Sequence, residues 1–255
     1  MIQLVILGAG NVASQLVSAF SQSDKINVVQ VYNRSILPLE KLDFKGNKIS
    51  DIAQLAKADC YIIAVSDDAV STLSEKIPFK NKLVVHTSGS VSIEDLSTNN
   101  RRGVLYPLQT FSKEKKVDFT EIPFCIEAEN EGDYQLIEKI ARTISHSVYK
   151  INSLQRKKLH LAAVFVCNFV NYLYQIGYEI SRENGFSFDI LKPLIKETAH
   201  KIEDAAPKDV QTGPAKRNDQ KTMAKHIEML DLPEQKQIYQ LLSQAIINSH
   251  GRKEL

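Results

Sequence analysis

The order of apolar and polar positions divides the chain into two parts. In the first 150 residues, short runs rich in β-branched residues alternate with amphipathic stretches, which is typical of strands joined by crossover helices into a parallel sheet. The predicted strands are QLVIL, NVVQVY, CYIIAV, KLVVHT, GVLYP, PFCIEA and HSVYKI. From about residue 152 the strand pattern ends, and helical runs follow one another to the end of the chain.

This change of pattern predicts an α/β domain followed by an all-α domain. We expect a doubly wound, mostly parallel sheet at residues 1–151 and a helical domain at 152–255. The run from Leu154 to Glu183 has apolar residues on nearly every side. Such a helix has to be buried, either inside the helical domain or against a second subunit, so the pattern favours a homodimer.

The charge balance excludes one class of partner. The chain has 32 basic and 30 acidic residues, with 43% hydrophobic and 24% charged residues, which is typical of a globular protein. The basic clusters at 113–116 and 156–158 are short and are flanked by acidic or apolar residues. We therefore expect no nucleic-acid partner.

The cysteines and the apolar runs indicate where the protein works. Cys60, Cys125 and Cys167 lie far apart among apolar neighbours, so we interpret them as reduced core residues of a cytoplasmic protein. No basic segment precedes the first strand, and the run LAAVFVC at 161–167 is too short to span a bilayer. The sequence predicts a soluble protein without a membrane partner, and we expect no metal site.

A glycine-rich turn follows the first predicted strand. Gly8, Gly10 and Ala13 fit the pattern GxGxxA, in which the first glycine permits a tight turn and the second lets a pyrophosphate approach the backbone. The N-terminus of the following helix favours negative charge. A plain connection from strand to helix is the alternative. The residues expected to bind the pyrophosphate of a dinucleotide are Gly8, Ala9, Gly10, Asn11 and Val12.

The end of the second strand indicates which dinucleotide binds. The segment VYNRS places Asn33, Arg34 and Ser35 where NAD enzymes usually have an acid that binds the ribose hydroxyls. An arginine can pair with a 2′-phosphate, which an acid would repel. We therefore predict NADP(H) as the cofactor, bound by these three residues. The alternative is that Arg34 is an ordinary solvated arginine.

Two further turns are predicted at the same edge of the sheet. The segments IIAVSDDAV at 62–70 and VVHTSGS at 84–90 each place polar residues after a buried strand. Helix capping or turn formation is the alternative, and we favour it for Asp68. A hydrolase that uses Ser88 beside His86 is disfavoured, because HTSGS lacks the GxSxG pattern. The residues expected to line the cofactor site are Val65, Ser66, Asp67, Thr87, Ser88 and Gly89.

Together these motifs resemble a known superfamily. The segments that carry the resemblance are LGAGNVA, YNRS, AVSDDAV, HTSGS, YPLQTFS at 106–112, HLAAVFVCNFVNYLY at 160–174 and TGPAKRND at 212–219. They are similar to the phosphogluconate dehydrogenase superfamily in its broad sense, which includes pyrroline carboxylate reductase, hydroxyisobutyrate dehydrogenase and ketopantoate reductase. The closer resemblance is to bacterial two-domain Rossmann-like oxidoreductases with a C-terminal domain of unknown function. It implies an N-terminal NADP-binding domain, a dimerising helical domain and a cleft between them.

The second domain offers candidate catalytic residues. His160, Val164 and Asn168 are spaced i, i+4, i+8 along one predicted helix. Dehydrogenases of the superfamily place a catalytic lysine and an asparagine on the corresponding helix, and the resemblance makes His160 and Asn168 the candidates here. An imidazole can deliver a proton to a carbonyl or imine near neutral pH. The alternative is that both residues serve packing and hydrogen bonding. Similar proteins often carry His where this chain has Tyr106.

The segment TGPAKRND is the candidate substrate loop. Thr212, Lys216 and Arg217 suit an anionic substrate, although Gly213 and the following residues also fit an ordinary turn that caps a helix. The sequence therefore favours an NADP-dependent reductase or dehydrogenase of a small, anionic carbonyl, imine or hydroxy compound. The alternative is a catalytically inactive sensor or regulatory protein that binds NADP.

Overall fold

The computed structural model describes residues 1–112 and 117–251. The basic cluster at 113–116 lies outside these described residues. Within them, eight strands form one sheet in the order β3-β2-β1-β4-β5-β6-β7-β8. The strands are β1 Ile2–Leu7, β2 Ile26–Tyr32, β3 Asn47–Ile49, β4 Cys60–Ile63, β5 Leu83–His86, β6 Arg101–Pro107, β7 Phe124–Ala128 and β8 Val148–Lys150.

The sheet is mostly parallel, as predicted. The pairs from β3 to β6 and the pair β7 and β8 are parallel, and the single antiparallel pair joins β6 to β7. All seven predicted strands form. Sequence analysis missed β3, which has three residues and is too short to show a period of two.

Helices cover the sheet and make up the rest of the chain. The α-helices in the described part are α1 Asn11–Phe20, α2 Ile36–Glu40, α3 Asp67–Glu75, α4 Glu131–Ala141, α5 Ser153–Ala163, α6 Val170–Glu183, α7 Lys192–Asp204, α8 Gln220–Glu228 and α9 Pro233–Gly251. A π-helical segment, Val164–Phe169, connects α5 to α6, so that Ser153–Glu183 is one long helix. The predicted α/β sheet followed by helices is thereby confirmed.

The central strands are buried on both faces. Leu4 and Ile6 of β1 belong to a cluster that also contains residues of α1 and α4, whereas Val5 and Leu7 point to the other face and pack with residues of α3. Successive side chains of a strand alternate between faces, so a strand covered on both sides must be apolar throughout. This is why LVIL at 4–7 and CYII at 60–63 are continuous apolar runs. The polar residues that follow each of these parallel strands therefore lie at one edge of the sheet.

The chain divides into two compact units, Met1–Asn168 and Phe169–Leu255. The boundary lies inside the long helix, beyond the last strand, whereas the sequence pattern placed it at 151/152. The difference has a physical reason: Ile151 and Leu159 pack against buried residues of β6 and β7, so the first turns of the long helix belong to the sheet unit.

The long helix departs from two expectations. Phe165 and Val166 are 60% and 72% exposed, and Cys167 is exposed as well, so only Cys60 and Cys125 are core residues. The helix is also long and apolar enough, by length and composition alone, to cross a membrane. The single run LAAVFVC did not reveal this, because apolar residues continue beyond it through the next turns.

Candidate functional site

The first glycine of the predicted turn is required by its surroundings. Gly8 has φ of +133°, a conformation that side chains rarely adopt, and its N–H donates to Tyr32 O at 2.7 Å. A Cβ at this position would lie 2.1 Å from Ala64 O. The turn between β1 and α1 therefore packs directly on the backbone that follows β4, and it accepts no larger residue.

The helix that follows has an open N-terminus. No side chain caps α1, because its N-cap residue is Gly10, and the side-chain amide of Asn11 donates to Phe111 O at 3.0 Å. The first turn contains no acid, and a Cβ added to Gly10 would meet no atom within 4 Å. The first N–H groups of a helix lack partners inside the helix, so they remain available to an anion. These features fit the pyrophosphate of a dinucleotide.

A cleft of 740 Å³ opens at this edge of the sheet. It contains most of the predicted cofactor residues, namely Gly8, Ala9, Gly10, Asn11, Val12, Asn33, Arg34, Val65 and Ser66. Its other lining residues are Tyr32, Ala64, Asp68, Ala69, Thr72, Leu73, Lys76, Gln109 and Phe111. Ser35, Asp67, Thr87, Ser88 and Gly89 are not part of this lining.

Two of the residues that line the cleft are cationic. Arg34 is exposed there, and the side chain of Asn33 donates to Ser35 O at 2.8 Å, which holds the turn that carries the arginine. Lys76, the C-cap residue of α3, is the other cation in the lining, which also contains the acid Asp68. Sequence analysis missed Lys76, because a lysine at the end of an amphipathic helix has no distinguishing pattern.

Gln109 and Phe111 also line the cleft, and no role was predicted for them although they belong to the motif YPLQTFS. The signal was available: this segment follows β6, and β6 runs parallel to β5. Its carboxyl end therefore lies at the edge where the other turns lie.

The HTSGS turn is held together mainly by its own hydrogen bonds. The hydroxyl of Ser88 accepts the N–H groups of Ser90 and Val91, both at 3.1 Å. The N–H of Thr87 donates to Ile63 O at 3.1 Å. Ser90 also donates to the carboxylate of Asp67, which follows the cleft residue Ser66. The turns after β4 and β5 are thus joined beside the cleft.

His86, the last residue of β5, is buried at the start of this turn. Its imidazole does not hydrogen-bond the hydroxyl of Ser88, as a catalytic base would with a serine nucleophile. Its Nδ1 accepts the backbone N–H of Ser88 at 3.1 Å, and its Nε2 has no hydrogen-bond partner among the described residues. Burial, with a smaller effect of the positive charge of Arg156, lowers the pKa of His86 to about 4. The imidazole is therefore neutral near pH 7.

His160 forms a group with Tyr106 and Gly89. Its Nδ1 lies 3.1 Å from Tyr106 Oη, and the two rings meet edge to face. A Cβ added to Gly89 would lie 2.7 Å from that same Nδ1. We call these three residues the His160 group. It brings together the turn after β5, the end of β6 and the last turn of α5.

A buried ion pair anchors α5 one turn before His160. Arg156 is fully buried, and its guanidinium donates to Glu127 Oε2 at 2.6 Å and to Val91 O at 2.5 Å. Ser153 donates to the same carboxylate at 2.7 Å. In the sequence, 156–158 is a short basic cluster, and no residue pattern there marks this arginine as pointing inward.

Asn168 lies on the π-helical segment. Eight residues of a regular α-helix turn through about 800°, so position i+8 lies about 80° away from position i. A π segment takes more residues per turn, which brings Asn168 back towards the face of His160. Asn168 is exposed, and its amide has no hydrogen bond in the part of the chain that the structure describes.

The candidate substrate loop lies in the second unit. Gly213 and Asn218 have φ of +103° and +54°, and Asp219 caps α8 by accepting the N–H of Thr222 at 3.1 Å. Turn formation and capping are therefore real roles of this loop. Lys216 and Arg217 are exposed and have no salt bridge within the described ranges.

The described residues, 1–112 and 117–251, contain no cluster of three or more His, Cys, Asp or Glu side chains that could bind a metal ion. The edge of the sheet offers open backbone N–H groups, two cationic side chains and one partly buried imidazole.

Comparisons with known proteins match both units. Residues 3–89 match the family described as NADP oxidoreductase coenzyme F420-dependent, and residues 122–246 match the domain of unknown function DUF2520. No curated protein matches the chain. A structure from Bacteroides fragilis, provisionally assigned as an NADP oxidoreductase, is 39% identical over 98% of both chains, with a TM-score of 0.89.

More distant structures share the fold. Pyrroline carboxylate reductase from Plasmodium falciparum, solved with NADP bound, is 17% identical over 98% of this chain and 97% of its own, with a TM-score of 0.61. An imine reductase from Myxococcus stipitatus, in complex with NADP+, is 16% identical over 96% and 92%, with a TM-score of 0.63.

Proposed function

We propose that this chain, which belongs to the family of two-domain proteins that join an NADP oxidoreductase domain to DUF2520, is an NADP(H)-dependent oxidoreductase of a small carbonyl, imine or hydroxy compound. The observation that carries this proposal is the cleft itself. Its lining contains Gly8, where no larger residue fits, an uncapped helix N-terminus and Arg34. A bound nicotinamide supplies or accepts the hydride.

The choice of NADP(H) rests on charge. Arg34 can form charge-assisted hydrogen bonds with a 2′-phosphate, and Lys76 is a second cation in the lining of the cleft. No acid lies between Lys25 and Leu39 to repel the phosphate or to bind the ribose hydroxyls in its place. Two fold relatives carry NADP in their structures, which agrees with this choice.

We assign proton transfer to His160. Its Nδ1 is engaged by Tyr106, which leaves Nε2 for a substrate. In the direction of reduction, an imidazolium at this position gives its Nε2 proton to the oxygen or nitrogen that becomes negative as the carbon gains the hydride. Asn168, with its unengaged amide on the same helix, is assigned to orient the substrate.

The substrate is proposed to be anionic. Lys216 and Arg217 stand on a loop whose backbone is fixed by a positive φ at Gly213 and by the cap at Asp219. Two cations on a fixed loop, without salt bridges in the described part of the chain, suit a carboxylate or phosphate. Thr212 is proposed to donate a further hydrogen bond.

The active form is proposed to be a homodimer that covers the long helix. Phe165, Val166 and Phe169 are 60%, 72% and 51% exposed, which is unusual for a helix surface in water. Light scattering at micromolar concentration should give twice the mass of one chain, and Val166→Glu should shift it towards the monomer. A monomeric wild type, or a protein that stays in solution only with detergent, would contradict the dimer.

Turnover tests the proposed reaction. NADPH deuterated at C4 is incubated with a panel of 2-oxo acids, aldehydes and cyclic imines with and without a carboxylate, and product deuterium is measured. We expect transfer to at least one anionic compound, with kcat lowered about a hundredfold or more in His160→Gln and NADPH affinity unchanged. Tight NADPH binding without transfer to any compound would support a sensor instead.

A further inference from the structure

We propose that Tyr106 is a positioning residue that holds the imidazole of His160 by its Nδ1, so that Nε2 is the nitrogen presented to the substrate. The inference rests on the proposed function of His160. It adds a residue for which sequence analysis had no role, and it gives Gly89 a role different from the predicted contact with the cofactor.

The contact is specific in its geometry. Tyr106 Oη lies 3.1 Å from His160 Nδ1, and the ring centroids are 6.2 Å apart at an angle of 75°. Tyr106 is only 8% exposed and packs with Val104, Cys125 and Leu159, all of them apolar. Its hydroxyl has no other hydrogen-bond partner among the described residues, so His160 is the group that satisfies it.

The hydroxyl can serve His160 in both protonation states. Burial raises the pKa of Tyr106 to about 12, so the phenol keeps its proton near pH 7. It donates to Nδ1 when the imidazole is neutral, which leaves the ring proton on Nε2. When the ring is an imidazolium, the hydroxyl turns and accepts the Nδ1 proton. Immediately after Nε2 gives its proton to the substrate, the Nδ1 proton is still on the ring, and uptake of a solvent proton at Nε2 restores the imidazolium.

Gly89 makes room for this pair. An added Cβ would lie 2.7 Å from His160 Nδ1 and 2.9 Å from Tyr106 Cζ, closer than real Cβ contacts. Gly89 is not among the glycines with a positive φ, so its backbone accepts alanine without strain. The constraint on this position is therefore the space taken by the two rings.

The ion pair of Arg156 completes the arrangement. It fixes α5 through Glu127 one helical turn before His160, and its bond to Val91 O fixes the turn that contains Gly89. The backbone on both sides of the imidazole is thus fixed. The remaining degree of freedom is the rotation of the ring, which the hydrogen bond with Tyr106 restricts.

The first test needs no turnover. Long-range 15N–1H NMR of ring-labelled histidine is recorded at a pH where His160 is neutral, for wild type, Tyr106→Phe and Tyr61→Phe. Tyr61 is the matched control, because its buried hydroxyl bonds Ala56 O at 2.9 Å in another cluster. We expect His160 Nδ1 to be an unprotonated acceptor whose shift changes only in Tyr106→Phe. A protonated Nδ1 in neutral wild type, or an unchanged shift in Tyr106→Phe, would overturn the proposal.

The second test separates positioning from packing. Tyr106→Phe keeps the ring, so we expect kcat to fall on the order of tenfold, with KM and NADPH affinity within about twofold of wild type. Tyr106→His, which can both donate and accept, should restore most of the loss. Equal kcat for wild type and Tyr106→Phe would contradict the inference. If no panel compound turns over, the proposed function fails, and the NMR result still decides the role of Tyr106.

A third variant tests the same pair of rings without changing Tyr106, so the proposal stays testable if Tyr106→Phe does not fold. Gly89→Ala should displace the ring and lower kcat at least as much as Tyr106→Phe, because the added methyl would lie 2.7 Å from Nδ1, closer than a real Cβ contact. Gly132→Ala is the control, since its Cβ would meet only Asn130 Oδ1 at 3.5 Å. If Gly89→Ala leaves both kcat and the Nδ1 signal unchanged, the pair is not confined as proposed.

Discussion

The cofactor cleft and the His160 group lie at the same edge of one sheet but are built in different ways. The cleft floor comes from consecutive residues, Gly8 to Val12, and its main groups are backbone N–H donors at the start of α1. The His160 group joins Gly89, Tyr106 and His160, which are far apart in sequence, through side-chain contacts. A site made of consecutive backbone leaves a motif in the sequence, whereas a site made of distant side chains does not.

The two regions also differ in what stabilises them. The cleft is open, and its charged residue Arg34 is exposed. The His160 group depends on Arg156, which is fully buried with Glu127 as its ionic partner. We therefore expect damage to the second region to appear first in stability and damage to the first region to appear first in binding.

The largest expected effect comes from breaking the buried pair. Glu127→Ala leaves the guanidinium of Arg156 buried without a counter-charge, which should lower the free energy of unfolding by about 3–5 kcal/mol. Glu138→Ala breaks the exposed pair with Arg142 and should cost about 0.5 kcal/mol or less. Chemical denaturation of both variants measures this, and equal losses would contradict the anchoring role.

The buried imidazole below the HTSGS turn should make stability depend on pH. The pKa of His86 is about 4 in the folded protein and about 6.5 when unfolded, so the unfolded state binds the proton more readily. As pH falls from 6.5 to 4, this residue should lower the free energy of unfolding by up to about 3 kcal/mol.

The variant His86→Asn isolates this contribution. Asparagine keeps an acceptor for the N–H of Ser88 but does not titrate. The two stability curves, measured by denaturation from pH 7 to 4, should converge as the pH falls. Curves that stay parallel would show that His86 is already free to bind a proton in the folded state.

A substitution in the glycine turn of the cleft should weaken cofactor binding and leave the His160 group unchanged. Gly8→Ala places a Cβ 2.1 Å from Ala64 O and forces a positive φ on alanine, so the turn must move. NADPH affinity should fall on the order of a hundredfold, whereas the Nδ1 signal of His160 should be unchanged. Gly132→Ala serves again as the control. A shifted histidine signal in Gly8→Ala would mean that the two regions are not independent.

What sequence could predict follows the same division. The strands, the glycine turn and Arg34 were predictable, because periodicity and short motifs depend on neighbouring residues. Lys76 and the inward orientation of Arg156 were not, because each depends on which distant segment lies opposite. Tyr106 was noticed through its motif, but its partner could not be identified before the fold placed β6 beside α5.

The π-helical segment shows a further limit. The spacing of His160, Val164 and Asn168 was read as one face of a regular helix, on which position i+8 is about 80° off. The change of pitch at Val164–Phe169 moves Asn168 back towards that face. No residue type in VFVCNF marks this change. Regular helix geometry alone would therefore not have placed Asn168 on the face of His160.

The most direct test of the central claim is a titration of NADPH and NADH against wild type and Arg34→Asp, followed by cofactor fluorescence. If the cleft binds the 2′-phosphate at Arg34, wild type should prefer NADPH by about tenfold or more, and Arg34→Asp should lose that preference chiefly through weaker NADPH binding. Equal affinities of wild type for the two cofactors, or an unchanged preference in Arg34→Asp, would contradict the account.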